Sequence, residues 1–404
     1  MSGSGRTPGR LWTKDFILAF TVNFFIAMVF YLLMTSMALY ALDRFRASDS
    51  AAGLASSAFV VGSLIARMFA GRLLDVVGRR RMVVVSMAAF VAASLLYLPA
   101  DSLVLLIVLR TLHGMAFGAG TTALAASVQS LIPPERRGEG TGYYGASTTL
   151  STAIGPYLAV VLAGNGGYSG IFYFSLASSV AALAVALMLR LPERPRTPRT
   201  AGARRRVPRL RLGDMVDPAA LPIATVILVS GAAFSGVLSF LTSYAESRGN
   251  AGEAGTFFLI YAAAVLVSRL FIGRIQDRRG DNAVMYPMIV ALALGLGMLA
   301  LEPSTLTIAA SAVLTGLGFG TLTTSGLAIA VSETPDMRVG TATSTFYLML
   351  DAGTGVGPVV LGLIVPLIGY AGMYGILGAV MLAAVVLYYL VHGRKRRGPR
   401  AALG

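Results

Sequence analysis

Apolar runs, each long enough to cross a bilayer as a helix of about 20 residues, recur at 16–41, 51–70, 82–99, 102–131, 140–163 and 168–190. After a polar interruption they resume at 219–245, 254–273, 284–301, 304–331, 341–367 and 370–391. A single run of this kind could be a buried core helix; twelve in series predict an all-α integral membrane protein with twelve transmembrane helices. Composition points the same way, because 56% apolar residues against 13% charged is more apolar surface than a soluble domain can cover.

The net charge of +15 invites a nucleic-acid partner until its distribution is followed. Of the 33 Lys and Arg, 27 fall in the N-terminus, the even-numbered loops and the C-terminus. The alternate loops carry only Arg44, Arg46 and Arg248, and the spans only Arg67, Arg110 and Arg269. Such a bias places both termini in the cytoplasm of a cell (plasma or inner) membrane, with lipid and not nucleic acid as the basic surface's partner. The densest run, "RPRTPRTAGARRRVPRLR" at 194–211, is Pro-rich without an apolar period and reads as a cytoplasmic linker.

With no Cys and two distant His, neither a disulfide framework nor a metal site is expected, and no cofactor either. The first run is too long for a signal-peptide core and is read as a retained span. "GTGYYG" (Gly140, Gly142, Gly145) matches a dinucleotide fingerprint by spacing, but no strand precedes it. No phosphate-binding GxxxxGK[ST] loop is present, so an ATP-driven pump is not expected.

The chain contains itself twice. "GRLLDVVGRRR" at 71–81 returns more loosely as "GRIQDRRGD" at 273–281, and 64–78 laid on 266–280 share seven of fifteen residues: Leu64, Arg67, Phe69, Gly71, Arg72, Asp75 and Gly78. The same offset of 202 maps Gly114 and Gly118 onto Gly316 and Gly320, Pro133, Arg136 and Gly138 onto Pro335, Arg338 and Gly340, and Gly155-Pro156 onto Gly357-Pro358. Six spans separate the copies, so both face the same side: two parallel six-helix bundles with a site between them. The expected organisation is a cytoplasmic tail at 1–14, bundles at 15–191 and 218–392, a basic linker at 192–217 and a tail at 393–404.

In these residues the chain resembles the major facilitator superfamily, whose signature between spans two and three is Gly, three residues, Asp, a basic residue, any residue, Gly and basic residues. Gly71, Asp75, Gly78, Arg79 and Arg80 fit, with Val76 departing; Gly273, Asp277, Arg278 and Gly280 repeat it, with Asp281 and Asn282 in place of the trailing basic residues. The resemblance implies a twelve-helix fold and a monomer, and a cytoplasmic gate in which Asp75 latches the two bundles. It also implies a central cavity lined by spans one, four, seven and ten. Polar residues there are Asn23, Tyr31 and Thr35 on span one and Ser235, Ser239 and Thr242 on span seven.

Charges inside spans carry most of the functional information, since each costs about 2.5–3.5 kcal/mol at mid-depth on insertion scales. Arg110 lies roughly 13 Å inside its span, counted at 1.5 Å per residue from Asp101, and His113 shares its helix face. Asp351 is the one acid near the centre of a span. We therefore expect Asp351 to carry a coupling proton or meet a cationic part of the substrate, with Arg110 and His113 as the opposing polar group. The Gly155-Pro156 and Gly357-Pro358 pairs read as helix bends, and Gly155-Pro156 resembles the span-five element of the superfamily's exporters, with Ser151 replacing its first Gly. The expected function is not enzymatic: proton-coupled efflux of small organic or amphiphilic molecules by alternating access. The alternatives are an importer of sugars or organic anions, an exporter of a zwitterionic metallophore-like metabolite, and a non-transporting receptor or scaffold.

Overall fold

A computed structural model describes residues 10–47, 49–164, 168–191, 216–248, 251–301 and 305–395. Both tails outside these limits, and all of the 192–217 linker but its last two residues, lie outside the described residues. Among the described residues there are helices and no strands. The first half contains α1 (Lys14–Phe45), α2 (Asp49–Val77), α3 (Arg79–Leu96), α4 (Leu103–Leu131), α5 (Arg137–Gly164) and α6 (Tyr168–Met188). The second contains α7 (Leu221–Ser247), α8 (Ala251–Arg269), α9 (Ile272–Arg279), α10 (Asn282–Leu299), α11 (Thr305–Ser332) and α12 (Val339–Val391).

Among the described residues the helices make twelve crossings, with α8 and α9 taken as one span bent by 41° and α12 as two spans joined at Gly369, whose φ of 71° and ψ of 173° break the helix. Among the described residues, eight helical segments are long and apolar enough to span a membrane, nine with the bent pair. α3, which opens on Arg79-Arg80-Arg81, is not among them. Large apolar side chains such as Val104, Leu306 and Leu367 stand exposed on the outside, the surface a bilayer would cover.

The repeat in the sequence is a repeat in space. α2 ends at Val77 and α9 at Arg279, each followed by a glycine with positive φ: Gly78 at 99° and Gly280 at 84°. A side chain in that backbone region is strained, which explains why both copies of the loop keep the second glycine. Packing follows the same plan: α2 lies on α4 as α8 lies on α11, and α1 on α5 as α7 on α12. Phe59 and Phe117 meet at 5.2 Å in the first core; their repeat mates, Tyr261 and Phe319, flank Phe234 in the second, where Phe234 and Phe319 stack at 4.0 Å.

The halves meet along two seams, α2 against α12 and α5 against α8 and α9. We call the end holding Lys14, Gly78, Gly280 and Val391 the termini end.

Candidate functional site

At the termini end both seams close on glycine. A Cβ on Gly273 would fall 2.5 Å from the Cα and N of Glu139 and from the carbonyl oxygen of Gly138; one on Gly71 would fall 2.7 Å from the Cα of Thr341 and 2.8 Å from the carbonyl oxygen of Gly340. These are repeat-related contacts between backbones, so the first glycine of each motif is what lets the two halves touch. The first copy of the repeat thus matches the second in steric logic as well as in sequence.

Asp277 then locks the second seam. Its carboxylate accepts from the backbone N–H of Gly138 at 2.8 Å and of Glu139 at 3.0 Å, at the first turn of α5, where unpaired N–H groups and the helix dipole favour an anion. Glu139 reinforces the lock: its carboxylate accepts from Arg136 at 2.7 Å and, across the seam, from Arg274 at 2.9 Å. Burial pushes the Glu139 carboxyl up, and the hydrogen bonds from Arg136 and Arg274 outweigh that and hold it below its ordinary value. Arg274 also donates to the Tyr143 hydroxyl at 3.2 Å. Arg278 and Arg80 are exposed, Arg80 reaching the Leu187 carbonyl, whereas Arg79 is buried. The side chain of Asp75, the latch expected from the sequence, lies outside the described residues.

Deeper in the first seam, Asp351 on α12 faces Arg67 on α2, with Nε and Oδ2 2.7 Å apart. The Arg67 side chain is 5% exposed and that of Asp351 18%. Ser63, one turn before Arg67 and on the same helix face, donates to Asp351 at 3.4 Å and accepts from Arg67 at 3.2 Å. Tyr347 lies under the guanidinium, 4.6 Å from ring centroid to Cζ, and the Ser344 hydroxyl donates to the Arg67 carbonyl. Tyr31 on α1 lies within the electrostatic reach of Asp351.

This corrects the expected grouping, for Arg110 and His113 do not oppose Asp351. Arg110 is fully buried inside the first bundle, donating to the carbonyls of Ala55 at 3.1 Å and Ser56 at 3.0 Å with its Cζ 4.8 Å over the Phe59 ring. His113 is bracketed by the Tyr97 hydroxyl at 3.1 Å and the Ser94 hydroxyl at 3.3 Å. The face of α4 that carries both residues is turned to α2 and α3 and not to the other bundle, so their hydrogen bonds go to carbonyls and hydroxyls of the first bundle, with Arg110 Nη1 left without a partner.

Of the residues expected to line a cavity, Asn23 is spent on helix packing, donating to Ser147 at 2.7 Å and Thr148 at 2.9 Å on α5. Ser235 is buried against α12, its hydroxyl 2.1 Å from where a Cβ on Gly357 would sit. Gly155 plays the same part on α5, against Tyr31. Thr35 and Ser239 are exposed, and the side chains of Thr242, Pro156 and Pro358 lie outside the described residues. α5 and α12 stay helical through both Gly-Pro pairs.

Residues 19–307 and 245–403 match the family model of the Major Facilitator Superfamily. The chain is 23% identical over 358 residues to an uncharacterised MFS-type transporter of Methanocaldococcus jannaschii, covering 88% of this chain and 92% of the relative. It is likewise 23% identical over 377 residues to the staphylopine export protein of Staphylococcus aureus, covering 88% and 90%. Its fold resembles that of the human organic anion transporter MFSD10 (TETRAN), with a TM-score of 0.78 at 16% identity over 92% of this chain and 98% of that one. A doubled loop motif, two like-oriented bundles closed glycine to backbone, and a family match along the length of the chain agree: this protein belongs to the major facilitator superfamily and is a multi-pass membrane transporter.

Proposed function

We propose that the protein is a proton-coupled exporter of small organic or amphiphilic molecules, working by alternating access with its termini end in the cytoplasm of a cell membrane. The orientation rests on the Lys and Arg bias of the loops. The observation that carries the coupling is the Arg67–Asp351 pair, which joins the two bundles at mid-span. An ionised Asp351 neutralises Arg67 and draws α2 to α12; a protonated one removes the attraction and leaves a buried cation at the seam. Proton binding therefore favours parting of the halves, and proton loss favours closure at the termini end under the Asp277 latch.

Support for export over import comes from the Gly-Pro element of α5 and from likeness to the staphylopine export protein. That likeness also supports a second reading, in which the cargo is a zwitterionic metallophore-like metabolite.

The test is flux in proteoliposomes. Purified protein loaded with a pH-sensitive dye inside, and given ethidium as an amphiphilic probe, should move ethidium and protons in opposite directions. Asp351→Asn should abolish the pH dependence. Ethidium flux in Asp351→Asn that still follows the pH gradient would eliminate the coupling role.

A further inference from the structure

Arg67 and Arg269 are repeat mates, 202 residues apart, on α2 and α8. Each projects into a seam, yet they meet different surroundings. Three side chains of α12 enclose Arg67: Ser344, Tyr347 and Asp351. At the repeat-equivalent positions of α5 stand Gly142, Gly145 and Thr149. The second seam has therefore lost the hydroxyl, the ring and the carboxylate together. What the backbones say agrees: a Cβ on Gly142 would sit 3.9 Å from the Arg269 carbonyl, and one on Gly145 3.3 Å from its Cζ.

Arg269 is left a buried cation, 7% exposed, with no carboxylate partner among the described residues. Thr324 accepts one of its N–H groups, while its Nε has no partner, and neither does the nearby Thr321 hydroxyl. Both groups border a small cavity, lined also by Gly138, Gly142, Ser268 and Ser325. In the closed arrangement it has room for about one water molecule. Because the cavity lies between α5 and α8, parting the termini end would widen it.

We infer that Arg269 and this hydroxyl-lined cavity form a loading site for an organic carboxylate, the anionic group of the transported molecule supplying the charge that Asp351 supplies on the other seam. The inference rests on the transporter reading and adds molecules with an anionic end to its cargo. A guanidinium offers such a group paired, charge-assisted N–H donors, and Ser268, Thr321 and Ser325 add hydroxyls. Closure at the termini end shrinks the cavity to the size of a water and so expels the carboxylate toward the centre of the molecule, which gives the site a direction.

Binding can be read without transport. Thermal unfolding of the full-length protein in detergent is followed with sodium salicylate, with its neutral isostere salicylamide, and with sodium chloride. Salicylate should raise the midpoint saturably while salicylamide and chloride leave it in place. Arg269→Gln should weaken salicylate binding roughly 10- to 100-fold, the loss expected for hydrogen bonds to a charged group. Thr149→Asp restores the missing carboxylate, and should raise the midpoint without ligand and blunt the salicylate response. A salicylamide response equal to that of salicylate overturns the inference, as does an equal chloride response, which would mean an inorganic counter-ion. So does a salicylate response that Arg269→Gln leaves unchanged. If Arg269→Gln does not fold, an undiminished response in folded Thr149→Asp decides against the site. A failure of proton-coupled flux in vesicles would leave this binding result intact, so the two readings fail separately.

Discussion

Asp351 and Arg67 reach each other from different halves of the chain, their charged atoms 2.7 Å apart in the middle of the α2–α12 seam. A pair removed from water in this way contributes little net stability, but breaking it by removing one partner costs roughly 3–5 kcal/mol. A double-mutant cycle should therefore be strongly non-additive. Asp351→Met and Arg67→Met should each lower the thermal midpoint of the purified protein, and the double variant should recover most of the loss. Additive losses would show that the two side chains act independently.

The glycine contacts make a conformational prediction. Alanine at Gly273 places a methyl 2.5 Å from the backbone of Glu139, which has no rotamer with which to yield. Overpacking of that kind costs about 1–3 kcal/mol, all of it in the closed arrangement, so Gly273→Ala should shift the population toward an open termini end. The natural chain has no Cys, so a single Thr321→Cys reports on the seam without background. Its reaction with a membrane-impermeant maleimide applied from the termini side should quicken about fivefold or more in Gly273→Ala. Gly71→Ala, which meets Thr341 and Gly340, should act likewise.

Asp277 should matter through its charge and its two acceptors. Replacing a carboxylate that caps a helix N-terminus costs about 0.5–2 kcal/mol, and here the helix belongs to the other half. Asp277→Ala should speed labelling at Thr321→Cys, with Asp277→Asn intermediate, because an amide oxygen still accepts from one of Gly138 and Glu139. Equal labelling in all three would show that the seam closes without the cap.

Glu139 gives the latch a pH limit. Its folded value is depressed by Arg136 and Arg274, so the ionised carboxylate stabilises the folded, latched protein at all pH above the unfolded value of about 4.3. That contribution fades as pH falls below 4.3 and through the folded value. Thermal midpoints measured from pH 7 down to pH 3 should fall in the lower part of the range, and Glu139→Gln should be less stable at pH 7 with a flatter acid limb. A parallel acid limb would assign the loss to other carboxylates.

The architecture was legible because one offset holds throughout: the register that aligns Gly71 with Gly273 in sequence also aligns their contacts with α12 and α5 in space. Asp351 was legible as well, since a lone acid in mid-span must have a partner. Its partner was not, because Arg67 recurs in both halves and so reads as a demand of the fold. Only the neighbours contributed by the opposite bundle separate Arg67 from Arg269, and those come from positions with no local sequence relation to either. Glu139 escaped notice because an acid in the first turn of a helix already has a reason to be there. Asn23 and Ser235 misled in the opposite sense: polar residues on cavity-lining helices, they are used up between helices of one bundle.

Arg110 separates a buried charge held within one bundle from one paired across a seam. Its partners include the carbonyls of Ala55 and Ser56 and the ring of Phe59, all within the first half. None of these contacts crosses a seam, so parting of the halves does not require any of them to break. Those carbonyls belong to a helix, so an apolar side chain of similar length leaves them with helical partners, and the buried site no longer holds a charge. Arg110→Met should therefore change stability by no more than about 2 kcal/mol, within the ordinary range for a single substitution, and leave the pH dependence of ethidium flux where it was. Asp351→Asn, at a residue that does face the seam, should do the reverse. If Arg110→Met erased the pH dependence while the protein remained folded, the proton path would have to run through α4, and the Arg67–Asp351 pair would be reduced to a fastening between bundles.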